Sequence, residues 1–119
     1  MPYSILGKNE MLNALGALAV FASLHTADPG DNGANEVAGG SPAYARKGVT
    51  WNAAAAGSMD DSTTPAPVFD VPASTTVAFV GFWSAVTAGT FYGAADVTDE
   101  VFGAQGTYTL TDADLDLNL

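Results

Sequence analysis

The chain has a single imidazole, His25, and it opens the stretch most crowded with oxygen donors. Residues 24–47, LHTADPGDNGANEVAGGSPAYARK, hold Asp28, Asp31, Asn32, Asn35 and Glu36, with Arg46 and Lys47 at the far end. Three chemistries could use such a set. Nucleophilic catalysis needs a hydroxyl or thiol, a base and an orienting acid. No serine here sits in a GxSxG elbow or another strained nucleophile context. His25 therefore reads as a structural residue that bonds a backbone carbonyl or a loop acid. Glycoside hydrolysis needs two facing carboxylates, and their spacing is spatial rather than sequential. The acids lie mostly in turns and at the C-terminus, where solvated faces are the default. A hard cation such as calcium takes carboxylate and amide oxygens, and Asp28, Asp31, Asn35 and Glu36, with Asn32, supply them. Their order departs from the EF-hand template, and Asp and Asn are ordinary turn formers. The expectation is no catalytic residue and no cofactor, with calcium on this loop as the alternative to a plain connection.

The loop has a mechanism of its own. In Asp28-Pro29-Gly30, Pro29 presets φ, Gly30 supplies positive φ and Asp28 caps the backbone. Gly33, Gly39, Gly40 and Pro42 keep the rest irregular. Adjacent residues on a strand point to opposite faces, so Arg46 and Lys47 form no common patch. Arg46 is expected to pair with Asp28 or Glu36 and lock the loop base. In the tail TDADLDLNL, Asp112, Asp114 and Asp116 alternate with Ala113, Leu115, Leu117 and Leu119. On a strand the acids share a face, which suits an edge that resists aggregation. A cation ladder or a match to a basic partner is the other reading.

Positioning these residues falls to short elements. KNEMLNALG, residues 8–16, repeats Met11, Leu12 and Leu15 at helical spacing and stops at Gly16. ALAVFASLHT, residues 17–26, is a strand with Val20, Ala22, Leu24 and Thr26 on one face and Phe21, Ser23 and His25 on the other. Further strands are expected over 43–51, 67–71, 75–86, 90–97, 100–103, 107–110 and 112–119. Residues 52–66 are a small-residue connection, and 87–89 a hairpin turn. TTVAFVGFWSAV, residues 75–86, is apolar on both faces and must be covered twice, by a second sheet or by a neighbouring chain. About eight short strands with no crossover helix mean an all-β fold, a compact antiparallel sandwich of jelly-roll type. The division is residues 1–16 as an N-terminal arm or short helix and 17–119 as the sandwich domain.

Composition bounds the function. At 119 residues, one domain is expected, and its hydrophobic fraction of 48% supports a core without disulfides. There is no cysteine, hence no thiolate metal site. Three Lys+Arg against 13 Asp+Glu give a formal charge of −10. Such a surface repels phosphate backbones and anionic lipid, so neither nucleic acid nor membrane is an expected partner. No apolar run nears the roughly 20 residues of a membrane span. The N-terminus fails as a leader peptide, because Glu10 and Asn13 interrupt it.

The run ASLHTADPGDNGANEVAGGSPAYARKGVTW, then VFDVP, VAFVGFWSAVTAGTFYGAADV and GTYTLTDADLDL, resembles a family of small tailed-bacteriophage virion proteins. Its members carry the labels tail fibre, minor tail protein or head decoration. The resemblance covers about residues 20–119 and brings no catalytic residues. It implies a structural component of the phage particle. The leading expectation is a capsid decoration protein, held by the major capsid protein and by copies of itself in a trimer or other symmetric cluster. The alternative is a minor tail or fibre protein with a host-adhesion role. Interface candidates are Leu12, Leu15, Tyr44, Trp51, Phe82, Trp83, Phe91 and Tyr92. Of these, Tyr44, Trp51 and Tyr92 would bear a glycan site.

Overall fold

A computed structural model describes residues 3–117. One helix, α1 (Ile5–Gly16), precedes eight strands: β1 (Phe21–His25), β2 (Lys47–Gly48), β3 (Ser58–Asp60), β4 (Val68–Val71), β5 (Thr75–Trp83), β6 (Phe91–Phe102), β7 (Gly106–Thr109) and β8 (Asp114–Asp116). The class is the expected one: all-β, antiparallel, with a short N-terminal helix. A four-stranded sheet of order β2-β1-β5-β6 is joined by two ribbons, β4-β7 and β3-β8.

The helix begins earlier than its apolar period suggests. Ser4 is the N-cap, and its hydroxyl accepts from the Gly7 amide at 3.0 Å. Such a cap satisfies one of the free N–H groups of the first turn. The helix docks on the body by side-chain amides rather than by a broad apolar face. Asn9 accepts from the Gly57 amide and Asn13 from the Ala54 amide, while Leu12 is buried. At the exit, the Leu18 and Ala19 amides bond Leu15 O. That uses residues 17–20 and shortens the expected 17–26 strand to β1.

Register explains why the central strands are apolar on both sides. Ala22 and Leu24 of β1 lie opposite Phe82 and Val80 of β5, and these four face the core with Phe69 and Val71 of β4. Ser23 and His25 lie opposite Gly81 and Phe79, on the other face. Two coverings were open at the outset, a second sheet or a neighbouring chain. The core side takes the β4-β7 ribbon. On the Trp83 side, the chain's own 28–42 loop lies over the sheet, with Pro29 and Gly33 buried.

Several boundaries differ from expectation. The 43–51 strand contracts to β2, because Tyr44 and Arg46 are drawn into the loop network. The 52–66 connection contains β3, which pairs with β8 through Met59 opposite Leu115. The break expected between 97 and 100 is absent; β6 runs through it and absorbs irregularity as register shifts against β5. The last strand is shorter than expected, and Asn118 and Leu119 lie outside the described residues, as do Met1 and Pro2.

Candidate functional site

β1 aims Ser23 and His25 at the underside of the 28–42 loop, where they meet Trp83. His25 Nδ1 donates to Ala34 O at 2.8 Å, since a carbonyl can only accept. His25 Nε2 is then left as an acceptor for the Ser23 hydroxyl at 2.6 Å. Ser23 Oγ in turn accepts from the Trp83 indole at 2.8 Å. The chain Trp83→Ser23→His25→Ala34 is fully satisfied with a neutral imidazole, and both Ser23 and His25 have no exposed surface. Burial lowers the His25 pKa and outweighs the Ala34 hydrogen bond. Gly81 makes the approach of the two side chains to β5 feasible: a Cβ there would lie 2.6 Å from both His25 Nε2 and Ser23 Oγ.

Arg46 closes the site from the opposite edge. It pairs with Glu36 and not with Asp28. Nε donates to Glu36 Oε2 and Nη2 to Oε1, each at 2.9 Å. Nη1 donates to Ala85 O at 3.0 Å and to Ala88 O at 2.8 Å, in the β5–β6 turn. The guanidinium also lies 3.6 Å from the Trp83 ring centroid. One side chain thus ties the loop, the turn and the sheet together, as only a planar fork of five donors can. Tyr44 donates to Glu36 Oε2 at 2.8 Å and accepts the Leu24 amide. Burial would raise the Glu36 carboxyl, but hydrogen bonds from Arg46 and Tyr44 and the charge of Arg46 prevail and hold it low. Burial pushes the Tyr44 phenol well above its usual range. An open cleft of about 330 Å³ beside this cluster is lined by Glu36, Tyr44, Arg46 and the 86–88 turn.

The calcium donors do not converge. Asp28 Oδ1 accepts from Gly30 N and Asn32 Oδ1 from Ala34 N, while Asn35 Nδ2 donates to Asp28 O. Asp31 is exposed, and Glu36 belongs to Arg46 and Tyr44. Among the described residues, no three His or acidic side chains are grouped to hold a metal. The local reason is the turn chemistry itself, which spends the Asx oxygens on backbone amides. In the tail, Asp112, Asp114 and Asp116 are exposed while Ala113 is buried, as the alternation requires. A hydrogen bond with Asp60, then burial and the neighbouring Asp112, raise the Asp114 pKa to about 6.

The interface candidates divide. Leu12, Phe82 and Trp83 are buried within the chain and offer no surface. Apolarity alone does not separate contact surface from core: the fold buries Leu12 on the inner side of α1, and Phe82 and Trp83 on the two faces of β5. Leu15, Tyr44, Trp51 and Tyr92 pack partly against the core, and the Phe91 ring meets Trp83 edge-on at 5.1 Å. Trp51 donates its indole N–H to Ala19 O, so its polar end is occupied. The open apolar surface lies at residues outside that set: Tyr3, Ile5, Leu6, Met11 and Leu18 in and beside the N-terminal arm, Val68 on β4, Val86 in the β5–β6 turn and Val101 on β6. The Ser23–His25 contact was also missed, although placing both residues on one strand face held the signal.

Residues 7–117 match the family model described as Podophage GP4 fiber I protein gp80. With nearly the whole chain covered, the protein belongs to this family of phage virion proteins. No curated protein and no solved structure matches the chain.

Proposed function

From that membership, we propose that the chain is a non-enzymatic building block of a phage fibre, working by being held in an assembly rather than by turning over a substrate. The observation that carries this reading is the inward orientation of its richest polar cluster. Every group of the Glu36–Arg46–Tyr44 and Ser23–His25–Trp83 networks is spent on another part of the same chain. Such a network fixes one arrangement of loop, turn and sheet, which is what a repeated structural unit needs. The family's fibre description supports the fibre assignment, and host adhesion is the role it would serve there.

Capsid decoration is the second reading. It is favoured by shape: extents of 46 × 28 × 25 Å describe a knob more than a shaft. Its partner would be the major capsid protein, with many weak contacts adding by avidity. Copy number separates the two. Quantitative mass spectrometry of purified virions should give a few copies per particle, with antibody labelling at the tail. Stoichiometry comparable to the major capsid protein would reject the fibre assignment in favour of the shell. Absence from the particle would reject both.

A further inference from the structure

Of the aromatic residues weighed for a sugar, Tyr44 has its hydroxyl committed to Glu36 and to the Leu24 amide. Trp51 differs. Its indole N–H donates to Ala19 O at 2.9 Å, and its ring meets Phe82 edge-on at 5.2 Å, so the indole is held in one orientation. The residue is half-buried, and it lines an open cleft of about 420 Å³ together with the buried Val49 and Met59. Gly16, at the end of α1, lines the same cleft. A Cβ there would stand 3.3 Å from Trp51 Cδ1 and 2.9 Å from Met59 Cε, so glycine leaves the indole edge clear. Polar side chains stand around the ring. Asn13 Oδ1 accepts from the Ala54 amide at 2.8 Å, which fixes the side chain and leaves its NH2 group to donate elsewhere. Asn52 is exposed, and its side-chain amide bonds nothing among the described residues. The Thr50 hydroxyl shares one bond with that of Ser62 and has capacity for another.

This combination selects a chemical class. A fixed aromatic ring takes an apolar ring face, and amides and a hydroxyl at its rim take the polar groups of the same ligand. A pyranose has both: a face of C–H groups and a rim of hydroxyls. Among the described residues no charged side chain lines the cleft, so an anionic sugar would find no counter-charge there, and the formal charge of −10 repels it. A nucleotide also has a flat face and a polar edge, but its phosphates meet the same repulsion. A wholly apolar ligand would strip water from Asn13 and Asn52 and return no hydrogen bond. We propose that the cleft between the end of α1 and residues 49–53 binds a neutral saccharide, with Trp51 as the stacking platform and Asn13 and Asn52 as its hydrogen-bonding partners. The inference rests on the adhesion role given to the fibre above, and it names the ligand class and the site for that role.

Titration of the nitrogen-15-labelled full chain, followed by NMR, tests it. The probes are the methyl glycosides of glucose, galactose, mannose, rhamnose and N-acetylglucosamine, with glucuronic acid and N-acetylneuraminic acid as charged counterparts. The expected result is saturable, millimolar binding of at least one neutral glycoside, which repetition in an assembly would strengthen by avidity. Binding should move the indole N–H signal of Trp51 and leave that of the buried Trp83 in place. Asn52→Ala removes an amide that the fold does not use, so it should weaken binding roughly fivefold at unchanged Tm. Tyr92→Phe, at an aromatic residue that does not line the cleft, should bind as wild type. The proposal is overturned if no neutral glycoside binds, if the acidic sugars bind as tightly, if the shifts gather away from Trp51, or if Asn52→Ala leaves the affinity unchanged. A chain counted in the tail that binds no neutral glycoside refutes the cleft and leaves the fibre reading standing. A sugar-binding chain that is absent from the particle does the reverse.

Discussion

Replacing Arg46 by Met tests whether the loop is fastened by one side chain. The substitution keeps the stem and removes the fork. Lost are two bonds to Glu36, two to the carbonyls of Ala85 and Ala88, and the contact over Trp83. Only 8% of the Arg46 side chain and 22% of the Glu36 side chain is exposed, so the pair is not of the surface kind that is worth next to nothing. The carboxylate left behind keeps Tyr44 as its one side-chain donor. Breaking a buried pair by removing one partner costs about 3–5 kcal/mol. For a chain of this length 1 kcal/mol corresponds to about 4 °C, so Tm should fall by about 12–20 °C.

Urea denaturation at low protein concentration, followed by tryptophan emission and far-UV circular dichroism, measures the loss without interference from association. Glu36→Gln in the same background completes a double-mutant cycle. Removing both charges relieves the stranded carboxylate, so the double variant should be more stable than the summed singles by about 2 kcal/mol. Arg46→Lys should recover little, since an ammonium cannot reach two carboxylate oxygens and two carbonyls in one plane. A loss under about 1 kcal/mol for Arg46→Met, or a cycle that closes additively, would refute the clamp.

Three further outcomes follow from the same geometry. The His25 pKa lies below its ordinary 6.5, so the stabilisation by the neutral ring is full above that pH and is lost as pH falls through the folded value. Tm should therefore drop on acidification from pH 7 towards 5, and His25→Gln should flatten that part of the profile. Asp114, raised to about 6, has the opposite sign: its contribution is full below the ordinary carboxylate value and is lost as pH rises through about 6. Asp114→Asn should raise Tm at pH 8 and leave it nearly unchanged at pH 4. Gly81→Ala places a methyl against His25, Ser23 and Phe91 together, and thermal melts should show a loss of about 2 kcal/mol or more.

What could be read from the sequence was whatever a period or a turn residue encodes locally. The alternation of β5, the cap at Asp28-Pro29-Gly30 and the stop at Gly16 are all local patterns, and all three are present. The Arg46–Glu36 pair was legible because a scarce cation and a nearby acid flank one loop. β3 was not, because Ser58–Asp60 has no period of its own and exists through pairing with β8, more than fifty residues away. The dispersal of the calcium donors was invisible for the related reason that an Asx oxygen can serve a metal or its own backbone with equal composition. Apolar residues were read as one class, yet Leu12 and Met11, adjacent in sequence, differ by 2% against 38% in exposure. Only the position of the body beneath the helix separates them.

The length of the 28–42 loop has a structural cause. A sheet whose central strands are apolar on both faces needs two covers, and the ribbons supply only one. The loop provides the other by crossing Trp83 at Gly33, where φ is +75° and any Cβ would collide with the indole. An irregular cover has no ladder to hold it, so its backbone must be fastened by side chains: His25 at Ala34, Tyr44 and Arg46 at Glu36, Asn35 at Asp28. Polar residues that a catalytic reading would count as a site are, on this account, what an internal loop cover requires. Exposed apolar residues lie elsewhere: Val101 on β6, Val68 on β4, Val86 in the β5–β6 turn, and Tyr3, Ile5, Leu6, Met11 and Leu18 in and beside α1. A variant that loosens the loop should therefore uncover the Trp83 face of the sheet and lower stability, because the cover is fastened by side chains of the same chain.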